Sequence, residues 1–218
     1  MSNLLTSLLG ATGQGILWGI MALGVYITYK LLDIADLTVD GSFALGGCTC
    51  AILIINGVNP VVATVLAVGA GLLAGAVTGI LHTFFNIPAI LAGILTQLSL
   101  WSINLRSPII QKLGLTQSQA SLVVGVVVVA IIIFIMYWFF GTEIGSALRA
   151  TGNNETMIRA LGVNTNNTKL LALMLSNGLV ALSGAFVAQM QKYADIGMGQ
   201  GAIVIALAAI IIGEVLFK

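Results

Sequence analysis

GTEIGSALRATGNNETMIRALGVNTNNT, Gly141 to Thr168, is a polar island between two apolar stretches. It carries Glu143, Arg149, Glu155 and Arg159, four of the fifteen charged residues in a chain with eight basic and seven acidic side chains. A sequence that places its scarce charge in one amphipathic loop between hydrophobic spans presents that loop to a partner. The remainder of the chain is built around this break.

Hydrophobic residues make up 59% of the 218 residues and charged residues 7%, against roughly 45–50% apolar and about 25% charged in soluble domains. This is the composition of an integral membrane protein, surrounded by lipid. A formal net charge of +1 and the lack of any basic run exclude nucleic acid as a partner. The first hydrophobic stretch has no basic leader and no small-residue cleavage motif, so it is expected to remain as a span.

Apolar runs of about the 20 residues a bilayer demands are read at 5–30, 42–58, 61–81, 88–105, 119–140, 168–190 and 201–217. The expectation is an all-α polytopic transmembrane bundle of about seven segments, forming a single domain over 1–218 with the loop 142–168 inside it. The 42–58 run is short, rich in glycine and preceded by LLDIADLTVDGS, which marks it as one half of a broken helix. Pro60 and Pro88 stand at span starts, where proline costs least, and Pro108 marks a loop. Gly71, Gly75 and Gly79 form a small-residue stripe for close helix packing, a device repeated at Gly15 and Gly19. Leu122 to Phe140 is uncharged and ends in Tyr137, Trp138, Phe139 and Phe140, a lipid-facing span with an interfacial aromatic belt. Cys48 and Cys50, two apart, point to opposite faces of a helix and are read as buried thiols without a mutual disulfide.

Within the polar island, Glu155 to Leu161 reads as a short helix capped by Asn153 or Asn154 and ended by Gly162. Glu155 and Arg159 are i,i+4 partners, and Met157, Ile158 and Leu161 form an apolar strip. Such an element lies either on the membrane surface or in a groove of another protein. Asn167 or Thr168 is the expected cap of the next span. Counting basic residues, with Arg149, Arg159 and Lys169 at the island, Arg106 and Lys112 in another loop and Lys192 in a third, places the island in the cytoplasm by a small margin.

Asp33, Asp36 and Asp40 are spaced i, i+3, i+7. On a helix they share a face; in an unwound linker, Thr38, Asp40 and Ser42 cap the half-helix that follows. Ionisable groups in membrane segments usually line a cavity, so a solute pathway near Asp36, Asp40 and Ser42 is one reading and an ordinary solvated loop the other. Gln97, Trp101 and Asn104 lie on one stripe of the fourth span, with Ser99 and Ser102 nearby. That stripe either meets a small polar solute in transit or hydrogen-bonds between helices. Ala35, Asp36 and Gly41 after the first span resemble Ala194, Asp195 and Gly201 after a later one, and an odd number of spans between the two starts makes the halves an inverted repeat.

The string Gly141 to Gln189, with DLTVDGSFALGG and PAILAGILTQLSLWSINLRS, resembles the permease subunits of ATP-binding-cassette importers of the branched-chain amino-acid and ribose type, over essentially the whole chain. The subgroup it is most similar to is linked to aromatic amino acids such as tryptophan and tyrosine. The resemblance implies import of a small solute across a bacterial inner membrane by a homodimer, with a cytoplasmic ATPase and an extracytoplasmic substrate-binding protein as partners and lipid around it. It also implies that Ala150 to Val163 is a coupling helix, with Arg149, Asn154, Glu155, Met157, Arg159, Leu161 and Gly162 in the matching motif. No G-x-x-x-x-G-K-[ST] phosphate cradle occurs, so ATP and magnesium belong to the partner, and this chain is expected to bind no cofactor or metal and to be no enzyme. Family members continue for further spans beyond the ending AIVIALAAIIIGEVLFK, so a C-terminal truncation is expected. Two other readings stay open: an ion-coupled carrier using the Asp33 to Asp40 cluster, and a membrane subunit that captures substrate or scaffolds a complex without transporting.

Overall fold

Without water to serve the backbone, an apolar run satisfies its peptide groups by coiling into a helix, and each of the seven expected segments contains such a helix among its described residues. The structure, a computed structural model, describes residues 2–105 and 120–216. In chain order these form α1 (Ser2–Tyr26) continued by a π-helical turn (Ile27–Leu31), α2 (Thr38–Ile55), α3 (Pro60–Thr83), α4 (Ala89–Asn104) and α5 (Ala120–Gly141), then α6 (Glu143–Asn153), α7 (Glu155–Ala160) and α8 (Thr165–Gln191), a 3₁₀ turn (Ile196–Gly199), and α9 (Ala202–Leu216). Among the described residues, five helical stretches are long and apolar enough to cross a membrane, and a sixth arises if α5 and α6, bent by 79° at Thr142, count as one span. At 16 residues α4 is shorter. The loop with Arg106, Pro108 and Lys112 lies outside the described residues.

The 27-residue α8 is the hub. Along α3, a Cβ added at Gly71, Gly75 or Gly79 would fall on Asn177 and Ala181, on Leu173, or on Leu170 of α8, so the stripe brings two backbones together. Gly46 and Gly184 do the same between α2 and α8. The largest apolar cluster fills the space between α1, α2, α5, α8 and α9 around Ile20, Met21, Phe43 and Val180. Cys48 and Cys50 are buried free thiols. Tyr137 and Trp138 near the end of α5 are 82% and 70% exposed.

The chain repeats itself with an offset of 159 residues. Asp33 and Lys192 both take the left-handed backbone conformation, with φ of 54° and 61°. Asp36 and Asp195 each accept the backbone N–H two residues on, from Thr38 at 2.9 Å and from Gly197 at 3.3 Å. Gly24 of α1 rests on the Ser176 carbonyl of α8, while Ser183 Oγ donates to the Leu17 carbonyl at 2.7 Å. Adding 159 to 17 and 24 gives 176 and 183, so these two contacts exchange under the repeat. Because α1 and α8 run antiparallel, the halves are inverted. In each half a long helix is followed by a linker that doubles back and a helix that starts within the bundle: residues 32–37 before α2, and residues 192–201 before α9.

Candidate functional site

Residues 32–37 fold back on the π-helical end of α1, with Ile34 N donating to the Thr28 carbonyl at 2.9 Å. This turns Asp36 inward, where its side chain is buried. Its Oδ1 accepts from Thr38 N, and its Oδ2 accepts from Asn177 Nδ2 at 2.7 Å. Asn177 Oδ1 accepts from Ser42 Oγ at 2.6 Å, and Thr38 and Thr78 share a hydroxyl hydrogen bond of 2.8 Å. The result joins the linker, α2, α3 and α8 through polar atoms about 18 Å along α8 from its start, counting 1.5 Å per residue from Thr165.

The three aspartates do not share a face. Asp33 is exposed, Asp36 is buried, and Asp40 serves a different helix: its two carboxylate oxygens accept from Gly201 N at 3.1 Å and Ile203 N at 2.9 Å. It caps α9, not α2, because the start of α9 lies against it, with Gly199 on the Asp40 carbonyl. Ser42 is not a cap either, since α2 already begins at Thr38. On α4, Asn104 is buried, Gln97 half-buried and Trp101 37% exposed. Ser99 and Ser102 donate to their own helix's carbonyls.

The polar island holds two helices where one was expected. Thr142 caps α6, its Oγ1 accepting from Gly145 N at 3.3 Å, and Arg149 Nη2 donates at 2.8 Å to the Phe140 carbonyl at the end of α5. Along α6, Gly145, Leu148 and Thr151 are buried, and Leu148 packs with Ile27, Leu32, Ile34, Ala172 and Leu173. Asn154 caps α7 by accepting from Met157 N at 3.0 Å, and Gly162 ends it with φ 87°. The expected apolar strip divides: Ile158 is buried, whereas Met157 and Leu161 are 59% and 68% exposed. Asn164, not Asn167 or Thr168, caps α8, whose first turn therefore already contains Thr168; that hydroxyl pairs with Thr151 of α6 at 3.1 Å.

Glu155 binds the loop to α8. Its carboxylate accepts from Arg159 Nη2 at 2.8 Å, Lys169 Nζ at 2.7 Å and Thr165 Oγ1 at 3.1 Å. The Lys169 ammonium, ahead of Thr165 and Arg159, holds this carboxyl below the usual glutamate value. Beside it a polar hollow of about 320 Å³ is bounded by His82, Thr83 and Asn86 of the α3 end and by Glu155, Arg159 and Lys169.

Two partners escaped the sequence reading. Asn177 was visible only as an amide within an apolar span, one position after Ser176, and its pairing with Asp36 spans 141 residues. Lys169 was counted for charge, yet its position fourteen residues from Glu155 gives no local periodicity to read. Among the described residues no cluster of three metal-ligating side chains occurs.

Residues 7–216 match the family model described as branched-chain amino acid transport system / permease component. The chain is 42% identical to a tyrosine transport system permease protein of Clostridioides difficile, over 98% of this chain and 75% of that protein. It is 34% identical to the uncharacterized protein RP368 of Rickettsia prowazekii, over 96% of this chain and 78% of that one. It is 28% identical to the ribose import permease protein RbsC of Escherichia coli, over 89% of this chain and 64% of that one. No solved structure matches it significantly.

Proposed function

We infer the function from one premise: the chain belongs to the permease-component family of branched-chain amino-acid transport systems. It is a multi-pass membrane protein, and the ATPase of such an ATP-binding-cassette transporter is a separate subunit. The function is import of an amino acid, with an aromatic one favoured by the 42% identity to a tyrosine transport permease. The loop 142–168 is the cytoplasmic coupling element, and α7 inserts into a groove on the ATPase. The permease works as a homodimer fed by an extracytoplasmic binding protein.

The observation that carries the coupling reading is the division of the α7 strip. Met157 and Leu161 stand exposed on a helix that Glu155, Arg159 and Lys169 hold to α8. Apolar side chains on a rigidly mounted short helix suit a groove on a protein, since little ordering entropy remains to be lost on docking. Asp36, Ser42 and Asn177 lie beside the route that the solute takes between α2, α4 and α8, with Asp40, Gln97, Trp101 and Asn104 supporting its walls. Substituting Met157→Glu together with Leu161→Glu removes the docking surface without touching a buried group. Co-purification of the ATPase and ATP-driven uptake of L-tyrosine should both fall at least roughly tenfold, the scale of losing a central apolar anchor. Undiminished co-purification would remove α7 from the coupling role.

A further inference from the structure

The π-helical turn Ile27–Leu31 is a rare conformation, found mostly as single turns within α-helices and frequently at functional sites. It lies between α1 and the doubled-back linker, and α6 is seated on it. A Cβ at Gly152 would fall on the Leu31 carbonyl oxygen, with Leu32 Cα at 2.9 Å, so only glycine admits this backbone approach. One turn earlier, Leu148 packs in the cluster that holds Leu32 and Ile34 of the linker. The linker in turn is closed by Ile34 N on the Thr28 carbonyl and by Asp36 on Asn177. An unbroken series of packed atoms therefore runs from the polar island to the buried carboxylate.

We propose that Gly152 on Leu31 is the joint through which α6 moves the 32–37 linker and so opens or closes the Asp36–Asn177 contact. This rests on the coupling reading of the 142–168 loop. Gly152 is a positioning residue, acting through Leu31 and Leu32. A displacement of α6 cannot be absorbed at a backbone-to-backbone contact as it would be by a flexible side chain, and it passes to the linker. The equivalent linker at 192–201 has no such contact from the loop among the described residues, so the drive is applied to one half of the repeat only.

The test uses the permease–ATPase complex with Cys48 and Cys50 replaced by alanine and an Ala35→Cys substitution in the exposed part of the linker. Trapping with ATP and vanadate should change the rate of maleimide labelling at position 35 by roughly fivefold or more, within the usual range of coupling between sites. Gly152→Ala should abolish that change while the ATPase still co-purifies. A retained change in that variant overturns the joint.

Because Gly152→Ala could fail to fold, a second measurement leaves the contact untouched. With spin labels at Ser146→Cys, Ala35→Cys and Asn86→Cys, all at exposed positions, the 146–35 distance should hold within about 2 Å on trapping while both distances to 86 shift, as when packed elements move as one body. If 146 moves relative to 86 and 35 does not, the linker is not driven by α6 and the proposal fails. Absence of ATPase co-purification with the unsubstituted permease would withdraw the coupling reading itself, and the joint with it.

Discussion

The two doubled-back linkers share a left-handed residue and an aspartate turn and differ in what grips them. Residues 32–37 and 192–201 each begin near a left-handed residue and each contain an aspartate that accepts the N–H two positions on. Asp36 is buried and reaches across to Asn177 of the other half. Asp195 is half-buried, and its hydrogen bond is the local one to Gly197, while the helix it precedes is capped from the other half by Asp40. Symmetry of the fold therefore positions two equivalent bends, and among the described residues the aspartate of the bend beside the polar island is the one that is buried and bonded to the other half. In the first bend the contact between halves is made by the linker's own buried carboxylate, whereas the second is met from the other half by the Asp40 carboxylate only at Gly201, its last residue.

Substitution of Asn177 should break this contrast most severely. Asn177→Ala leaves the Ser42 hydroxyl without its acceptor and the buried Asp36 carboxyl with one hydrogen bond fewer, a loss of about 3 kcal/mol. Thermal unfolding in detergent should register it as the largest change of the set. Asp40→Ala removes two N–H acceptors at the start of α9 and should cost about 1–2 kcal/mol, with faster hydrogen exchange confined to the first turn of α9. Asp195→Ala, the equivalent of a change at Asp36, should cost only about 0.5–1 kcal/mol, the worth of a local cap. Equal losses for Asn177→Ala and Asp195→Ala would erase the distinction between the bends.

Acid sharpens the same comparison from the side of the loop. The Glu155 carboxyl is held below its ordinary value of 4.5, so its pairing stabilises α7 fully above pH 4.5 and is lost as pH falls through the depressed value. Hydrogen exchange in α7 and the first turn of α8 should rise in that window in the native chain and show no such step in Glu155→Gln. The smallest effect is expected at Lys192, where a left-handed backbone carries a side chain: Lys192→Gly should stabilise by a few tenths of a kcal/mol, strain relief being offset by the entropy of glycine.

Much of this molecule is legible in its sequence because lipid imposes length. Runs of about 20 apolar residues, punctuated by Pro60 and Pro88, gave the helices, and glycine at four-residue spacing gave the face of α3 that meets α8. The faint match of Ala35-Asp36 to Ala194-Asp195 proved to carry the repeat, since backbone conformation at a doubled-back turn is set by a few local residues. What was not legible is the partnering. An aspartate before a helix reads as a local cap, and nothing in the sequence says that Asp40 caps α9, 161 residues away. The second helix of the polar island was missed because EIGSALRATGN contains two glycines and a threonine, poor helix formers that are selected here for close approach to Phe139 and Leu31.

The docking of α7 is tested most directly by a photo-reactive amino acid, benzoylphenylalanine, placed at Met157 in the assembled transporter. Irradiation should capture the ATPase at position 157 and not at Gly57, an exposed glycine at the opposite end of the bundle. Capture at Gly57 alone, or no capture from Met157 in a complex that still hydrolyses ATP in response to substrate, would contradict the assignment of the polar island as the coupling element.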